Sequence, residues 1–195
     1  MQEVAKRPRN GIGVALTLWG FLVVAGLAFA SSYGAAAGTP AHAPVVAQKD
    51  AKSRLLVFLH PECPCSRATV ANLDRLIASV GPDLEITAYV FQPRKIPAHW
   101  GHLELANAVR RIPGVNLVGD TDGRWASRYG ASTSGQVLLY SAGGKLVFSG
   151  GITPSRGHEG DSSGADAIVK YVQDGRSDLA SAPVYGCAIS GGQGE

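Results

Sequence analysis

The sequence predicts an α/β fold: a βαβ half, then a β-hairpin and a closing helix, all behind an N-terminal helix long enough to span a bilayer. Three observations carry this. Short apolar runs of strand length alternate with segments of helical periodicity. Late in the chain, two strand-like runs are joined by only Ser141-Ala142-Gly143-Gly144, a connection of hairpin length and composition. And Gly11 to Ala30 is apolar throughout, directly after Lys6, Arg7 and Arg9.

The elements follow in order. Residues 1–10 are read as a cytoplasmic N-terminus and 11–30 as the anchor, because basic residues flank a span on its cytoplasmic side. A cleavable signal peptide competes with this, since Ala28-Phe29-Ala30 fits a small-x-small site. Either way the rest of the chain is exported to the periplasmic or extracytoplasmic side, where disulfides persist. Residues 31–52 are rich in Ala, Gly, Pro and Ser and read as a flexible linker. The predicted domain covers 53–174. Leu55 to Leu59 is a continuous apolar strand, and Arg67 to Val80 has helical spacing that ends at Gly81-Pro82. Leu84 to Phe91 reads as a second strand and Trp100 to Ile112 as a helix stopped by Pro113-Gly114. A short helix over Asp122–Tyr129 ends at Gly130. Gln136–Tyr140 and Lys145–Ser149 form the hairpin, Ala165–Gln173 is the last helix, and 175–195 is a tail.

Composition narrows the function. Charged residues make up 17% of the chain and apolar ones 45%, enough for a real core, and the net charge is +3. The basic residues are scattered, which argues against nucleic acid as a partner.

The chemistry points to the turn after the first strand, His60-Pro61-Glu62-Cys63-Pro64-Cys65-Ser66-Arg67. Two thiols stand where a strand passes into a helix. Free amides and the helix dipole there favour thiolate, the form that attacks disulfides and binds soft metals. Cys63 is the candidate attacking thiol. Cys65 is a candidate resolving thiol, although a Cys63–Cys65 ring is strained and therefore labile. Cys187 is a third thiol, 13 residues beyond Asp174, and an extended tail of that length reaches tens of ångströms. It is a second candidate to resolve a disulfide with Cys63 or Cys65; a surface thiol or a crosslink between chains is the competing reading. His60 stands three residues before Cys63. It is a candidate to lower the thiol pKa or bind metal, and otherwise a capping or packing residue. His158 and Glu159 lie in the polar loop Arg156-Gly157-His158-Glu159-Gly160-Asp161, where they are candidates for a base and its orienting carboxylate, with Asp161 as the other carboxylate. Tyr129, Trp100 and Trp125 read as core.

The chain also resembles the thioredoxin superfamily, over roughly Leu55 to Gln173. Asp120-Thr121-Asp122-Gly123 followed by Tyr129-Gly130, strand, Gly-Gly turn and strand is similar to the membrane-anchored TlpA and ResA type. The nearest resemblance is to the small membrane-anchored RedB proteins. It rests on His60 to Arg67, Ser134 to Tyr140, Ser149 to Thr153, Ser155 to Asp161 and Pro183-Val184-Tyr185-Gly186-Cys187. The resemblance implies a thioredoxin-like fold, with Cys63 at the nucleophile position and Pro64 beside it. It also shows two departures. The resolving position falls on Ser66, with Cys65 one residue early, and the position of the family's cis-proline falls near Gly135, with no proline between Pro113 and Pro154.

Two function classes follow. One is an exported, membrane-anchored thiol:disulfide oxidoreductase without a cofactor, acting on a protein thiol or disulfide partner. In it Cys63 attacks and Cys65 or Cys187 resolves. The other is a copper-binding redox chaperone, with Cys63 and Cys65 as Cu(I) ligands and His60 or His158 completing the site. A peroxidase is weaker, because no threonine precedes Cys63 to position a peroxide.

Overall fold

The computed structural model describes residues 10–38, 52–95 and 102–189. Two compact units are present, 1–36 and 37–195. The first holds helix α1 (Asn10–Ala35). It is long and apolar enough to cross a membrane, with mean hydropathy 2.2 over Ile12–Ala35 and none of that stretch buried. It continues past the predicted end at residue 30.

The second unit has a thioredoxin-like fold. Its strands are β1 (Ser53–Leu59), β2 (Leu84–Gln92), β3 (Val115–Thr121), β4 (Gln136–Tyr140) and β5 (Leu146–Gly151). They form one sheet in the order β3-β2-β1-β4-β5. The first three run parallel, and β4 pairs antiparallel with both β1 and β5. Helices α2 (Pro64–Val80), α3 (His102–Arg110), α4 (Arg124–Arg128) and α5 (Ser163–Asp174) connect or close it.

The apolar run of β1 explains its central place. Leu55, Val57 and Leu59 face one side with Val70, Leu73 and Leu76 of α2, Leu105 and Val109 of α3, and Ile168 of α5. Leu56 and Phe58 face the other side with Tyr89, Ala126, Tyr129 and Tyr140. A strand covered on both faces needs apolar residues at every position, not every second one. Tyr129 is core, as expected, and Trp125 packs partly buried against the same cluster; Trp100 lies outside the described residues.

Strand β3 corrects the sequence reading, which passed from the third helix directly to the fourth. Val115-Asn116-Leu117-Val118-Gly119-Asp120-Thr121 contains Asn, Gly and Asp, all poor strand formers. Its buried member is Asp120, not an aliphatic residue, because the carboxylate accepts the backbone N–H groups of Trp125 at 2.7 Å and Ala126 at 3.0 Å and so caps α4. An edge strand with a capping duty carries no period-two signal. Helix α3 ends at Arg110, before the predicted Ile112, and α4 is shorter than predicted, at Arg124–Arg128.

The tail differs most from its reading. Residues 180–189 are not a loose end but a strap laid along the domain. Ser149 N–H donates to Ala180 O at 3.0 Å, beside a parallel bridge between Ser149 and Ser181. Farther on, Thr133 pairs antiparallel with Ala188. Val184 and Ile189 are buried.

Candidate functional site

Helix α2 begins earlier than the periodicity suggests. Pro64 stands in its first turn, where its missing N–H costs nothing, and Cys63 is the N-cap with extended backbone. Cys65 therefore lies inside the first turn. Helix geometry alone puts the Cys63 sulfur at the free amides of that turn.

Ser66, the residue at the family's resolving position, holds the turn instead of reacting. It is fully buried, and its hydroxyl donates to His60 O at 2.7 Å while sharing a 2.7 Å hydrogen bond with the Ser134 hydroxyl. Ser134 Oγ in turn accepts His60 N–H at 2.8 Å. The cysteine turn is thus stitched to the segment leading into β4. Gly135 closes this junction: its N–H donates to Phe58 O at 2.7 Å, and its φ is +89°. A Cβ there would meet Thr69 Oγ1 at 2.8 Å, so glycine answers both the backbone conformation and the space.

The strap carries Cys187 to the cysteine turn. Cys187 N–H donates to Cys63 Sγ at 3.3 Å, across 124 positions of sequence. Ser134 N–H donates to Cys187 O at 2.8 Å, and Arg156 Nη1 donates to Gly186 O at 3.0 Å. All three cysteines are free thiols; Cys63 and Cys65 are buried and Cys187 is exposed.

The three thiols differ in acidity. Burial pushes Cys63 up, but hydrogen bonds from Cys187 and from the amides of Cys65 and Ser66 outweigh it and leave the thiol lowered. Cys65 is raised, by burial first and then by a Cys63 thiolate beside it, against an opposing bond from the Gly157 amide. Cys187 is pushed up to about 11, by lost solvation first and then by its own hydrogen bond to Cys63.

The histidines fall elsewhere. The His60 ring stacks on Phe91 at 4.9 Å, and its Nδ1 accepts Glu62 N–H at 3.3 Å. Burial lowers its pKa, against an opposing Glu62 charge, which favours the neutral ring. His158 is exposed, with its Nδ1 2.7 Å from Arg156 O, and Glu159 pairs with Arg75 of α2 at 3.4 Å. The loop does return beside the thiols, but it presents Gly157 and Arg156 to Cys65, not His158 and Glu159. Asn72 sets that direction. Its side chain donates to Ile152 O and Gly160 O and accepts Gly160 N–H, all within 3.0 Å. Among the described residues, no group of three His, Cys, Asp or Glu side chains is placed to hold a metal.

Ser134, Arg156 and Asn72 are the site residues that sequence reasoning missed. Ser134 and Arg156 lie within the segments that carry the family resemblance, which was the one available signal. Asn72 is a polar residue on an apolar helix face, and such a residue needs buried partners.

No protein-family model and no curated protein matches the chain. Solved structures do. An uncharacterised conserved protein from Geobacillus kaustophilus is 16% identical with a TM-score of 0.60, covering 83% of this chain and 94% of that one. A hypothetical protein from Sinorhizobium meliloti 1021 is 23% identical with a TM-score of 0.60, covering 82% and 96%. These likenesses establish the fold alone. A secreted disulfide oxidoreductase of Mycobacterium tuberculosis superposes more loosely, at 18% identity and TM-score 0.44 over 64% of this chain and 83% of that one.

Proposed function

We propose that this protein is a thiol:disulfide oxidoreductase of the thioredoxin type, related most closely to the RedB proteins, in which Cys63 is the redox-active thiolate and Cys187 its disulfide partner. One observation carries the reading: Cys187 N–H points at Cys63 Sγ at 3.3 Å, on the cysteine that stands at the N-cap of α2. A sulfur so placed is stabilised as thiolate and lies beside a second thiol. Its oxidation by a partner disulfide and its re-reduction by a partner dithiol need no cofactor. Cys65 is the second possible partner, at the cost of a strained ring.

The reading predicts an order of reactivity. Iodoacetamide labelling of the full chain in detergent, followed against pH with peptide mapping, should find Cys63 alkylated from a lower pH than Cys65 or Cys187. Equilibration in glutathione redox buffers should convert the chain reversibly to a form two hydrogens lighter. Three thiols that stay reduced across the whole glutathione range would defeat the proposal. Stoichiometric Cu(I) held by Cys63 and Cys65 in the same reduced chain would favour the copper chaperone instead.

We also infer that α1 anchors the protein in a bacterial inner membrane with the domain outside the cytoplasm. Lys6, Arg7 and Arg9 precede an apolar helix of bilayer length, and three cysteines suit an oxidising compartment. Alkaline phosphatase fused after Lys52 should be active in a bacterial host. An inactive, cytoplasmic fusion overturns the topology, and mature protein starting near Ser31 identifies a cleaved signal instead.

A further inference from the structure

The proposed exchange centre leaves open which sulfur a partner meets. Resting on that reading, we propose that the partner meets Cys187: in the oxidised protein an incoming thiolate attacks the exposed Cys187 sulfur of a Cys63–Cys187 disulfide, and Cys63 departs.

Access supports this assignment first. Cys63 is 2% and Cys65 5% exposed, whereas Cys187 lies at the surface. The backbone edge beside that sulfur is Ser132 to Gly135, which bonds to Phe58, His60 and Cys187. That edge is already used. Ser134 N–H donates to Cys187 O at 2.8 Å, Ile189 N–H donates to Ser132 O at 2.9 Å, and Thr133 bridges to Ala188. A partner strand therefore finds these groups occupied.

The strap is built in, and this distinguishes it from a displaceable end. Its Val184 and Ile189 are each 2% exposed. Gly186 lies so close to the edge that a Cβ on it would stand 1.8 Å from Ser134 O, and a Cβ on Gly151 of β5 would stand 2.6 Å from Pro183 O. Backbone runs against backbone at both places, with no room for an intervening side chain. The strap then ends in an apolar anchor. Cys187, between those anchors, is the one exposed cysteine of the three.

The chemistry chooses the same sulfur. In thiol–disulfide exchange the better leaving group is the more acidic thiol. Attack on Cys187 expels Cys63, the thiol whose acidity its hydrogen bonds from Cys187 and from the amides of Cys65 and Ser66 raise. Attack on Cys63 must enter the buried side and expel the less acidic Cys187.

The step balances as follows. A partner thiolate forms a bond to Cys187 Sγ as the Cys187–Cys63 bond breaks, and the electron pair of that bond leaves on Cys63. The partner's second thiolate then attacks its own first sulfur in the mixed disulfide and releases Cys187 as thiolate, which takes up a proton. The partner dithiol has lost two electrons and two protons and becomes a disulfide, while Cys63 and Cys187 have gained the two electrons. The partner class is a protein with two neighbouring thiols; Cys63 acts through Cys187 and does not touch it.

The test uses the full chain in detergent, oxidised with diamide and desalted. Glutathione is added at pH 7 for seconds, N-ethylmaleimide stops the reaction, and peptide mapping locates both labels. The expected result is glutathione on Cys187 and maleimide on Cys63, with at least about tenfold less glutathione on Cys63 or Cys65. Glutathione on Cys63, with Cys187 carrying maleimide, overturns the assignment but leaves the exchange centre standing, whereas glutathione on Cys65 shows a Cys63–Cys65 disulfide and overturns both. A disulfide that forms but exchanges with glutathione at no cysteine overturns both.

Discussion

Replacing Cys63 by serine is expected to slow closure of the intramolecular disulfide by glutathione disulfide at pH 7 by roughly 100-fold or more, leaving glutathione on Cys187, while the domain stays folded. The serine hydroxyl fits the same N-cap and accepts the Cys187 N–H that now meets Cys63 Sγ at 3.3 Å. What is lost is the one thiol whose surroundings lower its pKa. The remaining two start from raised values, Cys187 at about 11. Removing the Cys63 thiolate removes one cause of those raised values, while burial, the larger cause, stays. The exchange also loses its disulfide, since Cys65 and Cys187 are then the sole remaining pair. A Cys63→Ser chain that exchanges at the parent rate would move the redox centre to another thiol. Circular dichroism on the same sample separates loss of sulfur from loss of fold.

The second large effect is expected at Gly186, a residue with no reactive group. A methyl group there would stand 1.8 Å from Ser134 O and 2.8 Å from Ser134 C, so backbone has to move. The Ser134 segment is held by His60 and Ser66, whereas the strap is the outer layer and gives way. Gly186→Ala should therefore lift Cys187 off Cys63. The Cys63 thiol then loses the bonds that Cys187 makes to it, and its pKa rises. Iodoacetamide labelling of Cys63 should shift to higher pH, and diamide should yield little Cys63–Cys187 disulfide. Where the strap comes away whole, exposing Val184 and Ile189 costs about 1.5–3 kcal/mol each, to be read from denaturant unfolding. A variant that labels and oxidises like the parent would show that the strap does not tune Cys63.

Much of the fold was legible because its signals are local. The run from Leu55 to Leu59 is apolar at every position because it is covered on both faces. The hairpin of β4 and β5 was marked by a short Gly-Gly connection. Strand β3 was not legible: its buried member is a carboxylate serving as a helix cap, and neither its neighbours nor its period indicates a strand. At the site, the strand-to-helix step with two cysteines identified the reactive turn, since a helix N-terminus is itself a local feature. The orientation of the polar loop was not local. Asn72, on α2, fixes Gly160 and Ile152 O, and Glu159 pairs with Arg75 of the same helix. His158 and Glu159, with acid–base side chains, drew attention that belonged to Gly157 and Arg156.

By itself the sequence determined that this chain has a parallel βα unit with a thiol at its mouth, an apolar helix at its start and a third cysteine within reach of the first two. Apolar period, proline and glycine punctuation, and chain length settle these without reference to distant residues. Only the tertiary structure decided that Cys187 rests on Cys63 and that a strap covers the edge beside it. That contact is made by backbone groups, Cys187 N–H to Cys63 Sγ and Ser134 N–H to Cys187 O. Every residue but proline carries the same donor and acceptor, so such pairing leaves almost no mark in the sequence. Its one trace is Gly186, small because Ser134 O would lie 1.8 Å from any Cβ placed there.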